Sequence, residues 1–295
     1  MKIRAIIVIL LSLLLVQCNY EPREEEVDQR EHIRIIYPNW TEGIALANLI
    51  KIILTDYLHY NVILKMDDIE DIYANVASGD YDVFPDAWLP HTHAGYWEKY
   101  GDSIHDIGIL FPQARTGILA PDYMEIDSLG QLKLLDPDSI IIHGIDSFAG
   151  VMQSARKAAK HYDFRLNIRE SNEETMIQNL EQAYLKRQDI LITGWEPHWV
   201  FSRYNLKFLK DPDSIFGGYE QIHILGRNNI VSDYPNLGLF LHRISLSDKQ
   251  MNALLNEMEV SGNFPERGVK KWIDDNIATV NQWIHGLRVK RRYSM

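Results

Sequence analysis

Apolar positions in this chain switch between two periods. His32 to Tyr37 reads as a strand, and Thr41-Glu42 opens a segment in which Leu46, Leu49, Ile50, Ile53, Leu54 and Tyr57 recur at helical spacing. Asn61 to Lys65 is the next strand. Ile69, Ile72, Tyr73, Val76 and Ala77 make a second helical stripe, which Ser78-Gly79 stops. A strand from Asp82 to Trp88 follows, and the order strand, helix, strand, helix, strand predicts a parallel α/β lobe. From about Asp122 the pattern starts again. Ser139–His143, Leu166–Arg169 and Ile190–Thr193 read as strands, with helices over Gly150–Tyr162 and Glu173–Lys186 between them. This predicts a duplication of topology rather than a short tandem repeat.

The two halves also share a local chemistry. Asp82-Val-Phe-Pro-Asp-Ala-Trp88-Leu-Pro-His91 is echoed by Asp189-Ile-Leu-Ile-Thr-Gly-Trp195-Glu-Pro-His-Trp199. Each reads as a buried strand, a turn, and a helix whose first turn holds the proline. A single tryptophan is most simply explained by core packing. Core packing does not require the same loop twice, each time at a strand's carboxyl end, where open α/β sheets place their ligands. Two facing indoles suit a cation without protons to donate, at about 0.5–2 kcal/mol per ring. A quaternary ammonium is such a cation.

The helix starts add an anion-binding element. Ile36-Tyr-Pro-Asn-Trp40-Thr-Glu-Gly43-Ile44 and Ile142-His-Gly-Ile-Asp-Ser-Phe148-Ala-Gly150 both run from strand into helix, with an aromatic beside a glycine. Free N–H groups and the helix dipole favour an anion there. A small zwitterion satisfies both features. Gln113 to Pro121 and Gln221 to Gly226 read as the two connections between lobes. The chain then returns to the first lobe with helices at Tyr234–His242, Asp248–Glu259 and from Pro265, where Trp272 and Trp283 take core positions.

Composition narrows the function class. The chain has 295 residues, is 46% hydrophobic and 24% charged, and carries a net charge of −11, which argues against nucleic acid as a partner. Lys2 and Arg4 precede an apolar run from Ala5 to Val16, too short to span a bilayer and suited to a signal peptide. It ends at the only cysteine, Leu15-Val16-Gln17-Cys18, which resembles a bacterial lipoprotein signal except that Gln17 stands where a small residue is usual. The expected organisation is a signal peptide over 1–18 and an acidic flexible tether over 19–32. A first lobe spans 33–117 plus 224–287, a second lobe spans 118–223, and a basic tail covers 288–295.

Several motifs together resemble the glycine-betaine/proline-betaine substrate-binding proteins of ABC importers. They are Asn39-Trp-Thr-Glu-Gly-Ile-Ala, Ser78-Gly-Asp, Asp86-Ala-Trp-Leu-Pro, Tyr96-Trp-Glu-Lys-Tyr-Gly-Asp, Gly144-Ile-Asp and Thr193-Gly-Trp-Glu-Pro-His-Trp. The likeness runs from about Ile33 to Trp283. It implies a two-lobed periplasmic-binding-protein fold of type II and a trimethylammonium ligand held in a tryptophan cage. It also implies work with an ABC permease and ATPase, while export and attachment to the membrane through lipid on Cys18 are expected from the leader. By resemblance Trp88 and Trp195 are cage walls, Gly43 and Ile44 offer amides to the ligand carboxylate, and His198 is a polar partner. Relatives often take a third tryptophan from the region after the second crossover. Ser232 to Asp248 has none, so Trp40 or Phe148 is expected as the third wall. Glycine betaine leads, with choline and carnitine open. No cofactor, metal or catalytic residue is expected.

Two rivals belong to other classes. His91-Thr-His93 with Asp86 has metal-like spacing and points to a hydrolase, without an obvious third ligand. A sensory protein that binds the same ligand and signals is the other, weakened because no second domain follows the fold.

Overall fold

A computed structural model of the chain describes residues 32–138, 140–262 and 264–287. The leader, Cys18, the acidic segment up to Glu31 and the basic residues from Arg288 lie outside them. The first half runs β1 (His32–Tyr37), α1 (Thr41–Ile52), β2 (Asn61–Met66), α2 (Ile69–Ser78), β3 (Val83–Leu89) and α3 (Ala94–Tyr100). The long β4 (Ile104–Pro121) leaves it. The second half runs β5 (Ile141–His143), α4 (Gly150–His161), β6 (Asn167–Arg169), α5 (Glu173–Leu185), β7 (Leu191–Glu196), α6 (Val200–Arg203) and β8 (Leu206–Phe208). Then β9 (Glu220–Arg227) returns to α7 (Ile230–Asp233), α8 (Pro235–Arg243), α9 (Asp248–Val260), α10 (Pro265–Asp275) and α11 (Ile277–Ile284).

The strand order is β2-β1-β3-β9-β4-β7-β5-β6, with β8 on β4. Within each half the first strand is central, flanked in parallel by the next two: β2-β1-β3 on one side and β7-β5-β6 on the other. The duplicated order read from the periodicity is therefore the arrangement of strands in space. β4 and β9 are the antiparallel ribbon between the halves. β4 pairs with β9 as far as Ala114 and with β7 from Arg115.

The mixed α/β architecture agrees with the sequence reading, and some local details differ. The prolines of the two tryptophan loops sit ahead of the helices. Pro90 and Pro197 follow the strands through cis peptide bonds, and α3 and α6 begin only at Ala94 and Val200. The apolar stripe expected on α1 is wider than one face, because α9 and α10 pack on its outer side and bury Ala45, Ala47 and Ile52 as well. Trp272 and Trp283 are core residues, stacked at 6.3 Å between ring centroids. Gly79 closes α2 in the left-handed conformation at φ 84°, as expected for a glycine stop. Asp82 anchors the start of β3. Burial opposes its ionisation, but hydrogen bonds from Arg34 and Arg227 win and hold the carboxyl below its ordinary value.

Candidate functional site

β3 and β7 end at the crevice between the halves, and the first turn of α1 starts there. Trp88 and Trp195 ride on the ends of the two strands and Trp40 caps α1. All three residues line one small cavity of about 20 Å³. Each indole N–H turns toward a carboxylate. Trp40 donates to Asp146 Oδ2, Trp88 to Asp86 Oδ1, and Trp195 to Glu42 Oε2, each at 2.9 Å. The rings are buried at 7%, 2% and 3% exposure, yet all border empty space, so burial alone does not make them core.

The acids behind the cage are far from water. Burial, then the nearby Asp86 and Glu173 charges, drives the Glu42 carboxyl well above its ordinary value. Burial likewise raises Asp86 despite the hydrogen bond from Trp88. Asp86 Oδ2 has no partner, and Glu42 itself lines the cavity. The environment is therefore hungry for positive charge.

The far wall supplies donors. His93 is fully buried, and desolvation pushes its imidazolium pKa down to about 3, so the ring is neutral. Its Nδ1 accepts the Trp88 main-chain N–H at 3.0 Å, which places the ring proton on Nε2. That Nε2 is buried without a partner, and His93 lines the cavity. Beside it stand Gly150 and Val151, the first residues of α4, whose N–H groups have no acceptor one turn back. Gly150 is required by close approach, since a Cβ there would lie 2.3 Å from the Thr92 carbonyl oxygen. Thr92 is fixed in turn by Glu220, which accepts from its N–H at 2.8 Å and from its hydroxyl. Thr116 Oγ1 is a further buried, unpartnered polar atom on the cavity wall.

Gly43, Ile44 and His198, expected by resemblance to meet the ligand carboxylate, are not among the residues that line this cavity. Ile44 N–H is used inside α1, donating to the Trp40 carbonyl at 2.9 Å. Gly43 packs where a Cβ would meet Pro38 at 2.9 Å and Asp86 at 3.0 Å. The N-terminus of α1 already holds an anion from the protein itself. Glu173 Oε2 accepts from Thr41 N at 2.9 Å, and Glu173 Oε1 accepts from the Thr41 hydroxyl. His198 has both ring nitrogens engaged, with Nε2 3.0 Å from Glu173 and Nδ1 accepting from Val200 N at 3.1 Å. Its ring meets Trp195 edge to face at 5.0 Å. Of the two candidates for a third wall, Trp40 lines the cavity. Phe148 is 57% exposed, and only its carbonyl is engaged, accepting from Tyr96 OH at 3.1 Å. His93, Val151 and Glu42 are not among the ligand contacts expected from the sequence, whereas Gly150 opens one of the two helices read there as anion sites. The signals were present in the His-Thr-His spacing after Trp88 and in the second of the two glycine turns.

His91 and His93 do not converge on a metal. His91 is exposed against Gly217 while His93 is buried beneath Trp88, and among the described residues no group of three or more His, Cys, Asp or Glu could hold a metal ion. Among the same residues no helix is long and apolar enough to cross a membrane.

Residues 31–275 match a family described as the substrate binding domain of ABC-type glycine betaine transport system. The glycine betaine/carnitine transport binding protein GbuC of Listeria monocytogenes is 34% identical over 182 residues, 61% of this chain and 59% of that protein. The chain thus matches about three-fifths of that relative's length. Lactococcal OpuAC, crystallised closed with glycine betaine, is 31% identical with a TM-score of 0.80, over 86% of this chain and 99% of that one. ProX of Borrelia burgdorferi, a glycine betaine/L-proline-binding protein, is 27% identical with a TM-score of 0.83, over 87% and 97%.

Proposed function

The chain belongs to the family of substrate-binding domains of ABC-type glycine betaine transport systems, and on that premise we propose that its cavity captures a quaternary ammonium osmolyte, with glycine betaine the leading ligand, for delivery to an ABC permease. Binding rather than catalysis is the reading, since the family is one of substrate-binding domains and the cavity offers aromatic walls and hydrogen-bond donors. The observation that carries it is the shape of one cavity. Trp40, Trp88 and Trp195 border it with their indole N–H groups bonded to carboxylates, and His93, whose Nε2 has no partner, and the first residues of α4 border it too. The cation sits among Trp40, Trp88 and Trp195, and the carboxylate takes His93, Gly150 and Val151. That assignment differs from Gly43, Ile44 and His198: none of the three lines the cavity, and the Ile44 N–H and both His198 ring nitrogens are already in use. Export, lipid attachment at Cys18 and the two-lobe division belong to the same reading; the lobes close over the ligand through the β4–β9 ribbon.

One observation favours a second ligand. Glu42 lines the cavity and Asp86 lies directly behind it, so a net cation such as choline is also suited. Isothermal titration with glycine betaine, proline betaine, choline, carnitine and unmethylated glycine tests both. Micromolar binding of methylated compounds, roughly −8 kcal/mol, with none of glycine is the expected result. Equal binding of glycine would end the aromatic-cage reading.

A further inference from the structure

Three successive residues at the start of α1 each grip the other half of the sheet. Trp40 reaches Asp146, Thr41 reaches Glu173, and Glu42 reaches Trp195. The outer two belong to the cavity wall. The middle pair does not, and it is the most heavily bonded: Glu173 accepts from Thr41 N, from the Thr41 hydroxyl and from His198 Nε2. The carboxylate is nearly sealed, at 11% side-chain exposure, and lies at the positive end of the α1 dipole. His198 then carries the contact to the edge of Trp195. Glu173 is the first residue of α5 and Thr41 the first of α1, so the bond joins helix starts from opposite halves.

We propose that Glu173 is a positioning residue that latches the cleft: its carboxylate, seated on the N-terminus of α1, holds the two halves closed and seats Trp195 through His198 without touching the ligand. This rests on the quaternary-ammonium reading and adds to it a residue outside the cavity. A charge-assisted contact made only when the halves meet stabilises the closed state alone, so its loss is felt in ligand escape. The ligand's own contacts, and therefore its selectivity, are untouched.

The test is stopped-flow tryptophan fluorescence with glycine betaine and choline on wild type, Glu173→Gln, Thr41→Val and the double variant, beside melts of the ligand-free proteins. Glu173→Gln should weaken both ligands about tenfold, almost wholly in the dissociation rate, with their ratio unchanged. The double variant should bind no worse than Glu173→Gln, because both changes remove one contact. Unchanged affinity, or losses that add and follow a falling melting temperature, overturns the latch. If wild type binds neither compound, the ligand reading fails separately. Small-angle scattering of the ligand-free proteins then decides: a larger radius of gyration for Glu173→Gln upholds the latch, and an equal one removes it.

Discussion

Ligand binding should expel a proton from the acids behind the cage. In the empty site Glu42 and Asp86 are both raised well above ordinary values, by burial first and, for Glu42, next by Asp86 itself. They face each other from α1 and β3, with Glu173 of α5 nearby and neutral His93 on the cavity wall. Such a pair titrates as a unit and keeps a proton at pH values where an ordinary Glu, near 4.5, has lost it. Glu42 borders the cavity beside Trp195, whose Nε1 lies 2.9 Å from Oε2. A cation on that ring lies about 6 Å from the carboxylate, worth about 3 kcal/mol at an effective dielectric near 20, or about two pKa units. The sign follows. The free site is protonated and the bound site ionised, so affinity rises with pH from the ordinary carboxylate range upward and levels off above the raised pKa of the empty pair. Titration calorimetry in two buffers of different ionisation enthalpy measures the released proton, and Glu42→Gln should abolish most of the release. Buffer-independent heats together with an affinity flat from pH 5 to 8 would refute the linkage.

Trp88→Ala and Trp195→Ala should each weaken binding by about 1–3 kcal/mol, with Trp→Phe milder, since each ring gives one face to the cavity. Because both residues border the cavity, ligand-free stability, read from a melt, should fall by less than the roughly 3–5 kcal/mol that truncating a fully packed tryptophan costs, and unfolding of either variant would return its ring to the core. His93→Gln should cost carboxylate ligands about 1.5–3 kcal/mol relative to choline, read as the ratio of two dissociation constants. The pH dependence of betaine binding near pH 6.5 should be the same in wild type and His93→Gln, because the imidazole stays neutral down to about 3. Cys18→Ala should move the protein from the membrane fraction to the soluble one, as a fractionation blot reports.

The element order was legible because its periods are unambiguous. Ile69 to Val76 recurs at helical spacing and ends at a glycine that adopts φ 84°. Trp88 and Trp195 were legible for another reason, a loop chemistry that occurs twice. The anion end was harder. Two helix starts carry a glycine and an aromatic, and sequence does not say which one keeps its amides free. The difference is Glu173, more than 130 positions along the chain from Thr41 and brought to the start of α1 by the fold. Likewise His93 shares its spacing with metal ligands. Only burial and the Trp88 N–H bond on Nδ1 identify it as a neutral donor.

On the proposed reading, the acids let three tryptophans serve as a cage for a cation. A quaternary ammonium offers no N–H, so any indole N–H aimed at it is wasted and stays unpaired, at a cost of about 1–3 kcal/mol for a buried donor. The rings must present faces, and the N–H groups must be met from behind. Trp40, Trp88 and Trp195 each find a carboxylate. A carbonyl or a hydroxyl would satisfy the donor equally well. A carboxylate also polarises the ring and places negative charge behind its face, which strengthens the attraction for a cation. The empty site bears the strain of that choice in two raised acids, and the ligand relieves it on arrival. Removing one acid by Asp→Asn or Glu→Gln should therefore leave the ring in place and weaken the grip on every cation, whatever lies at its other end.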